Sequence, residues 1–199
     1  MSKKLIEIEK QVVLVGHGGS GKTCILHRVF SKKFEEKYTP TVFEDTKHTR
    51  IIKNQQITLL ILDTAGQDDY GRMIEINLND ADLVIFCYAV DCRNSFETLF
   101  SDYFSLLGDK TNKLIFLVGC KTDTREFQQV VSYEEGKALA KKMGAAYFCE
   151  TSAKNNVGCN ELFDEIYKFF EVKELKPIKK EKKKSFFDKL FGCCGCGNK

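Results

Sequence analysis

The chain of 199 residues contains no tryptophan, two prolines and three methionines. These shortages exclude little. Two other absences exclude more. No apolar run approaches the roughly 20 residues that a membrane-spanning helix requires. Nor does a secretory signal open the sequence, since Met1–Lys10 reads as a short charged lead-in. Six cysteines are scattered singly: Cys24, Cys87, Cys92, Cys120, Cys149 and Cys159. They are therefore expected to be reduced cytosolic thiols and not a disulfide framework. No internal repeat is visible. Charged residues make up 30% and hydrophobic residues 43% of the chain, the balance of one soluble globular domain with an ordinary core. The net charge of +3 is modest and calls for no nucleic-acid partner, but it is unevenly placed. Ten lysines fall between Lys168 and Lys199, and Cys193, Cys194 and Cys196 cluster at that end.

What is present begins with Gly16-His17-Gly18-Gly19-Ser20-Gly21-Lys22-Thr23, which fits G-x-x-x-x-G-K-[ST]. An apolar run, Val12–Val15, enters it, and Cys24, Ile25, Leu26, Val29 and Phe30 leave it at helical spacing. A chance glycine-rich turn would lack that strand–loop–helix setting. Glycines let successive backbone N–H groups turn inward toward phosphate oxygens. The helix beginning near Gly21 adds the positive end of its dipole. Gly16, Gly18, Gly19, Ser20, Gly21, Lys22 and Thr23 are thus candidate phosphate contacts. Lys22 would neutralise the β/γ-phosphates, and the Thr23 hydroxyl would bind Mg²⁺.

Buried strands alternate with helices along the chain. Gln11–Val15, Leu83–Val90, Leu114–Gly119 and Ala146–Cys149 read as strands. Glu44–Lys53 and Gln56–Leu62 read as a hairpin joined at Asn54-Gln55. Helices are expected from the phosphate loop to about Ser31, over Ser95–Leu107, over Ser132–Met143 and over Val157–Glu174. The third opens with a Ser132/Glu135 capping box. The last should turn Leu162, Phe163, Ile166, Phe169 and Phe170 inward. Phe34–Asp45 reads as loop, and Thr64–Asn79 as loop plus a weak helix. The pattern predicts an α/β fold: a mostly parallel six-stranded sheet with one antiparallel edge strand and helices on both faces.

In such a sheet, ligands bind beyond the carboxyl ends of the strands. Four segments therefore share one rim: the phosphate loop, Asp63–Gln67, Cys120–Asp123 and Thr151–Lys154. Asp63 ends an apolar strand, where a carboxylate can hold Mg²⁺. Gly66 lets a backbone N–H approach the terminal phosphate, and Gln67 suits orienting an attacking water. Asp123 can accept two hydrogen bonds from the guanine N1–H and N2–H₂ edge, which adenine lacks. The Lys121 stem can lie along the ring plane, and Ala153 can offer its N–H to O6.

Gly16–Thr23, Thr41, Asp63–Gln67, Lys121/Asp123 and Ser152–Lys154 occur in the order seen in the Ras superfamily of small GTPases, and the resemblance covers residues 8 to 172. The resemblance implies that Phe34 stacks on the guanine edge and that Thr41 is a further Mg²⁺ ligand in switch I. It also implies that switch II begins at Gly66, and that Cys24, Tyr38, Ser152 and Lys154 complete the nucleotide contacts. Tyr38–Asp45 and Gln67–Tyr70 look most like Rho/Rac. Two features depart from that pattern. Thr124–Ser132 is too short for the Rho insert, and Val131–Gly136 looks more like Rab or Ras. Cys120 stands where most relatives carry an Asn that braces the phosphate loop and touches guanine N7. A thiol is a weaker donor, so lower guanine affinity is expected.

The implied function is that of a Rho-like, monomeric, GTP-hydrolysing switch with Mg²⁺, acting in actin cytoskeleton control. Lys22, Gly18, Gly66 and Gln67 carry the catalysis. No arginine is obviously placed as a finger, so an activating protein would supply one, beside an exchange factor and effectors at the switches. A Ras- or Rab-like GTPase and a nucleotide-bound scaffold with little turnover remain alternatives. A phosphate-loop kinase would need an acceptor pocket and an Arg-rich lid, and neither is visible.

Residues 1–175 are expected to form the GTPase domain and 176–199 a targeting tail. That tail holds a basic run at Lys179–Lys184, then Phe186, Phe187, Leu190 and Phe191, then the three clustered cysteines. Lysines and one lipid chain together make a stable anchor. Cys196 lies fourth from the last residue, but Gly197, Asn198 and Lys199 match C-a-a-X poorly, so palmitoylation is favoured over prenylation. A zinc site lacks a fourth ligand nearby. The expected location is the cytoplasmic face of a membrane, the plasma membrane first, with a cytosolic pool.

Overall fold

A computed structural model describes residues 5–34, 43–64, 71–107, 113–127 and 131–172. Six strands form one sheet: β1 (Ile6–Val15), β2 (Phe43–Ile52), β3 (Gln55–Thr64), β4 (Leu83–Ala89), β5 (Leu114–Cys120) and β6 (Tyr147–Glu150). Their order is β2-β3-β1-β4-β5-β6, and only the β2–β3 pair is antiparallel. This is the predicted sheet. Five helices follow the phosphate loop and the strands: α1 (Lys22–Leu26), α2 (Gly71–Asp80), α3 (Arg93–Thr98), α4 (Tyr133–Met143) and α5 (Cys159–Phe170).

Strand alternation divides the core. Val12 and Leu14 of β1 join Ile85 and Cys87 of β4 on the side that packs against α1 and α5. Val13 and Val15 join Val84, Phe86 and Tyr88 on the other side, against α2, α3 and α4. All these side chains are buried. Each apolar one contributes about 1.5–3 kcal/mol relative to exposure.

Several element boundaries differ from expectation. The strand expected from Gln11 reaches back into the charged lead-in: β1 starts at Ile6, where Ile6 and Ile8 alternate with Glu7 and Glu9 as a half-exposed strand that pairs with β3 from Gln55 onward. The hairpin turns at Lys53-Asn54, one residue earlier than expected, with Lys53 in the left-handed region at φ 57°. Two expected helices change pitch. After Leu26, α1 widens into a π turn over His27–Ser31, and α3 passes through a π turn at Leu99–Tyr103 into a tight turn at Phe104–Leu106. On α5 the inward set is Cys159, Leu162, Phe163, Ile166 and Tyr167, while Phe169 is 45% exposed and Phe170 half-buried. Tyr167 takes the inner face because its hydroxyl donates to the His48 carbonyl at 3.1 Å on β2.

The expected capping box is present. The Ser132 hydroxyl accepts from the Glu135 N–H at 3.3 Å, and the Ser132 N–H donates to the Glu135 carboxylate at 2.8 Å. The Arg93 guanidinium and the Ser132 donors hold the Glu135 carboxyl down at about 2, so the cap stays charged through the neutral range. At the end of α5, the Gln55 side chain grips Val172 twice: its amide donates to the Val172 carbonyl at 2.7 Å and its oxygen accepts the Val172 N–H at 2.9 Å.

Tyr88, a large polar ring, is set fully into the second core layer. Its hydroxyl is buried without a hydrogen-bond partner among the described residues. Room for it is made by glycine: a Cβ at Gly136 would lie 2.2 Å from that hydroxyl and one at Gly119 2.9 Å. An unsatisfied buried hydroxyl costs about 1–3 kcal/mol. Tyr88→Phe should therefore raise stability by about 1 kcal/mol in urea unfolding, and Gly136→Ala should be better tolerated in the Tyr88→Phe background than in the parent.

Candidate functional site

The loop between β1 and α1 rests on the carboxyl ends of β4 and β5. Gly16, at φ 144°, allows this approach, since a Cβ there would lie 2.1 Å from the Cys87 carbonyl oxygen. Gly21, at φ 105°, sits over Cys120, whose Cβ would be 3.1 Å from a side chain at that position. Gly19 is also left-handed, and the Ser20 N–H closes a turn onto the His17 carbonyl at 3.2 Å. The Ser20 hydroxyl is buried without a hydrogen-bond partner among the described residues. Lys22 folds back over the loop, donating to the Gly16 carbonyl at 2.7 Å and the His17 carbonyl at 3.1 Å. Only 5% of it is exposed. Burial lowers its pKa, against the opposing pull of Cys87, Asp63 and Cys120.

The Thr23 hydroxyl donates to the Asp63 carboxylate. Asp63 is 1% exposed and lies beside Leu14 in the β1–β3 register. Thr64 locks the same strand ends by donating its hydroxyl to the Leu14 carbonyl at 2.7 Å. A hydroxyl and a carboxylate in contact are hard oxygen donors, the set that suits Mg²⁺. The residues present therefore fit that ion. Tyr38, Thr41, Gly66 and Gln67 lie outside the described residues, as does the whole tail.

The third and fourth segments of the rim are tied to each other. The Ser152 hydroxyl donates to the Asp123 carboxylate at 2.6 Å and accepts the Asn155 N–H at 3.0 Å. The Thr122 N–H donates to the Thr151 carbonyl at 3.1 Å. Lys121 adopts φ 65°, its carbonyl accepting from the Thr124 hydroxyl at 2.7 Å, and its ammonium lies 3.7 Å from the Asp91 carboxylate. Arg125 braces the pair of loops from below, donating to the Val131 carbonyl at 2.6 Å and to Glu150 at 2.5 Å. Ala153 and Lys154 offer their carbonyls to Arg28 of the α1 extension, at 2.5 and 3.1 Å, and the Arg28 guanidinium lies 5.8 Å from the centre of the Phe34 ring. Cys24, half-buried, follows Thr23 on α1.

The structure thus places Thr23 against Asp63, Gly21 over Cys120, Ser152 against Asp123, and Ala153 and Lys154 against the α1 extension. It adds four that sequence reasoning missed: Arg28, Arg125, Glu150 and Cys87. An arginine on an amphipathic helix and a thiol inside an apolar strand carry no positional signal, so nothing in the sequence singled them out. Cys120 is buried where the two halves of the rim meet. The neighbouring Cys87 thiol and burial push its own thiol well above the ordinary range, so it stays neutral and offers only a weak donor.

A phosphate loop at the switch point of a parallel sheet, followed by a buried carboxylate against the loop threonine, defines a P-loop nucleotide-binding protein. The comparisons with known proteins narrow the class. The Ras family matches residues 11–171. The chain is 38% identical over 193 residues to GTP-binding protein rho5 of Schizosaccharomyces pombe, covering 89% of this chain and 96% of that one. It is 38% identical over 192 residues to GTP-binding protein RHO1 of Candida albicans, covering 89% and 94%. With human Rho-related GTP-binding protein RhoD it shares 36% over 167 residues, covering 78% and 80%. The chain belongs to the Ras family and, within that superfamily, to the Rho GTPases: GTP-hydrolysing, nucleotide-dependent molecular switches. Guanine-nucleotide and Mg²⁺ binding come with that membership.

Replacing the weak Cys120 donor by an amide should strengthen the join between phosphate loop and rim. Cys120→Asn is expected to slow GDP release roughly 3- to 10-fold, the effect of one added hydrogen bond. Stopped-flow release of a fluorescent GDP measures it; an unchanged or faster rate would show that the thiol does not limit retention.

Proposed function

We propose that the chain binds GTP and GDP through the rim residues and hydrolyses GTP by attack of a water that Gln67 orients on the γ-phosphate. The observation that carries this reading is the contact of the Thr23 hydroxyl with the Asp63 carboxylate beside the folded-back Lys22. Lys22 and the N–H groups of Gly18, Gly19 and Gly66 stabilise the charge that develops on the transferred group. Thr23, Thr41 and Asp63 would hold Mg²⁺, which when bound neutralises β/γ-phosphate oxygens. Asp123 takes the guanine N1–H and N2–H₂, Ala153 gives its N–H to O6, and Lys121 and Phe34 flank the base. Cys120 underlies it, and Gly16, Ser20, Gly21, Cys24, Tyr38, Ser152 and Lys154 complete the pocket.

Thr41 and Gly66 order switch I and switch II while the γ-phosphate is present and release them after hydrolysis. Effectors read those segments, an exchange factor reloads the site, and an activating protein supplies the arginine that stabilises the transition state. Actin control is the output that Rho membership favours. Residues 1–175 act as the GTPase unit, while 176–199 hold it on the cytoplasmic face of a membrane. The lysines of Lys179–Lys184 and an acylated Cys193, Cys194 or Cys196 act together there, because one chain alone binds marginally.

Gln67→Leu removes the water-orienting amide but no phosphate contact. Purified variant should bind GTP nearly as the parent does, while single-turnover hydrolysis with an activating protein present falls at least roughly 100-fold. Equal turnover would remove Gln67 from the mechanism, and adenine nucleotide released from the denatured protein would overturn the base assignment.

For the tail, changing the three clustered cysteines to Ser, or the lysines of Lys179–Lys184 to Gln, should each move the protein from membrane to cytosol in fractionated cells. Retention of both variants on membranes would place the anchor elsewhere.

A further inference from the structure

The turn that offers Ala153 to the base is held from two sides. On one, Ser152 is tied to Asp123 and to the Asn155 N–H. On the other stands a single side chain from the far end of the sequence. Arg28 donates from Nε to the Ala153 carbonyl at 2.5 Å and from Nη2 to the Lys154 carbonyl at 3.1 Å. A guanidinium presents two donors in a fixed plane, so gripping consecutive carbonyls sets the orientation of that turn and not only its distance. The same guanidinium covers the Phe34 ring. Arg28 rides on the π turn that continues α1, the helix whose first residues are Lys22 and Thr23.

We propose that Arg28 is a positioning residue for guanine recognition, clasping the Ala153–Lys154 turn to the phosphate-loop helix so that the Ala153 N–H stays aimed at O6. The inference rests on the base pocket proposed above. It also assigns the chain a brace between the two halves of the rim that does not pass through Cys120. The Cys120 thiol gives little there; the Arg28 fork joins the same halves from the outer side, through α1. Helix, aromatic flank and base turn then move as one body. Loosening any of them frees the base edge while the phosphate loop stays closed on its own carbonyls through Lys22.

The test uses full-length protein and three probes: GDP, 6-thioguanosine diphosphate and inosine diphosphate. The thio base keeps both donors facing Asp123 but replaces O6 by a larger, weaker acceptor. Inosine lacks only the amine that Asp123 accepts. In the parent, GDP should be retained at least roughly 10-fold longer than the thio analogue, the worth of one good hydrogen bond. Arg28→Ala should release GDP roughly 10- to 100-fold faster and shrink the GDP-to-thio ratio to within about threefold, with the GDP-to-inosine ratio left near its parent value. Arg28→Lys, which keeps one donor, should fall between, and decides the matter if the alanine variant does not fold. A parent that ignores the thio substitution would overturn the Ala153 contact and the clasp with it. A parent that discriminates, with Arg28 variants that discriminate as well, would overturn the clasp and leave the base pocket standing. Equal weakening of all three nucleotides would reduce Arg28 to a fold-stabilising role and would also overturn the proposal.

Discussion

The Lys22 ammonium sets the terms for the rest of the structure. A charge taken from water costs several kcal/mol unless partners replace the lost hydration. Here two loop carbonyls do so, with the Asp63 carboxylate near enough to oppose the drop in its pKa. Carbonyl oxygens are half-measures, because they carry partial charge only. An anionic phosphate chain is the better partner, so the loop is most comfortable when nucleotide is bound. The backbone has to be bent to make this possible, which is why Gly16 is pressed onto Cys87 with no space for a side chain and Gly21 lies tightly over Cys120. The platform in turn requires β4 and β5 to end at the same level, and their mutual register, Ala89 opposite Cys120, supplies that.

The base end follows a different logic. No described residue there is a buried lone charge. Two loops from neighbouring strands are sewn together by short hydrogen bonds, Ser152 to Asp123 and Thr122 to Thr151, and are underpinned by the Arg125–Glu150 ion pair. Arg125 and Glu150 are 22% and 13% exposed, so the pair is partly sheltered from solvent screening and acts as a spacer of fixed length between the loops. The phosphate loop is thus shaped by backbone curvature, and the Cys120–Asp123 and Thr151–Lys154 segments by cross-links between them.

Much of this was legible in the sequence, for identifiable reasons. The four rim segments stood out because each follows an apolar run and carries residue types with narrow chemical uses. The sheet followed from the alternation of buried runs with helical periods. What stayed hidden depended on partners far away in the chain. Ile6–Lys10 reads as charged because half its side chains face solvent, and only the pairing with Gln55 onward makes it a strand. Phe169 scores as core by spacing, yet the inward face runs through Tyr167, whose hydroxyl finds a partner on β2. Arg28 acts through carbonyls 125 and 126 residues away, which no local pattern announces.

The grip of Gln55 on Val172 has a consequence for posture. Gln55 begins β3 and Asp63 is its last residue but one, so the two lie roughly 26 Å apart at ~3.3 Å per residue. Val172 therefore sits toward the pole opposite the phosphate loop, at a clamped point. Anything that pulls on the residues beyond Val172 therefore pulls on the sheet itself, like a kite string tied to the spar. The phosphate loop and Asp63 are carried at the opposite end of that strand, away from whatever holds the string.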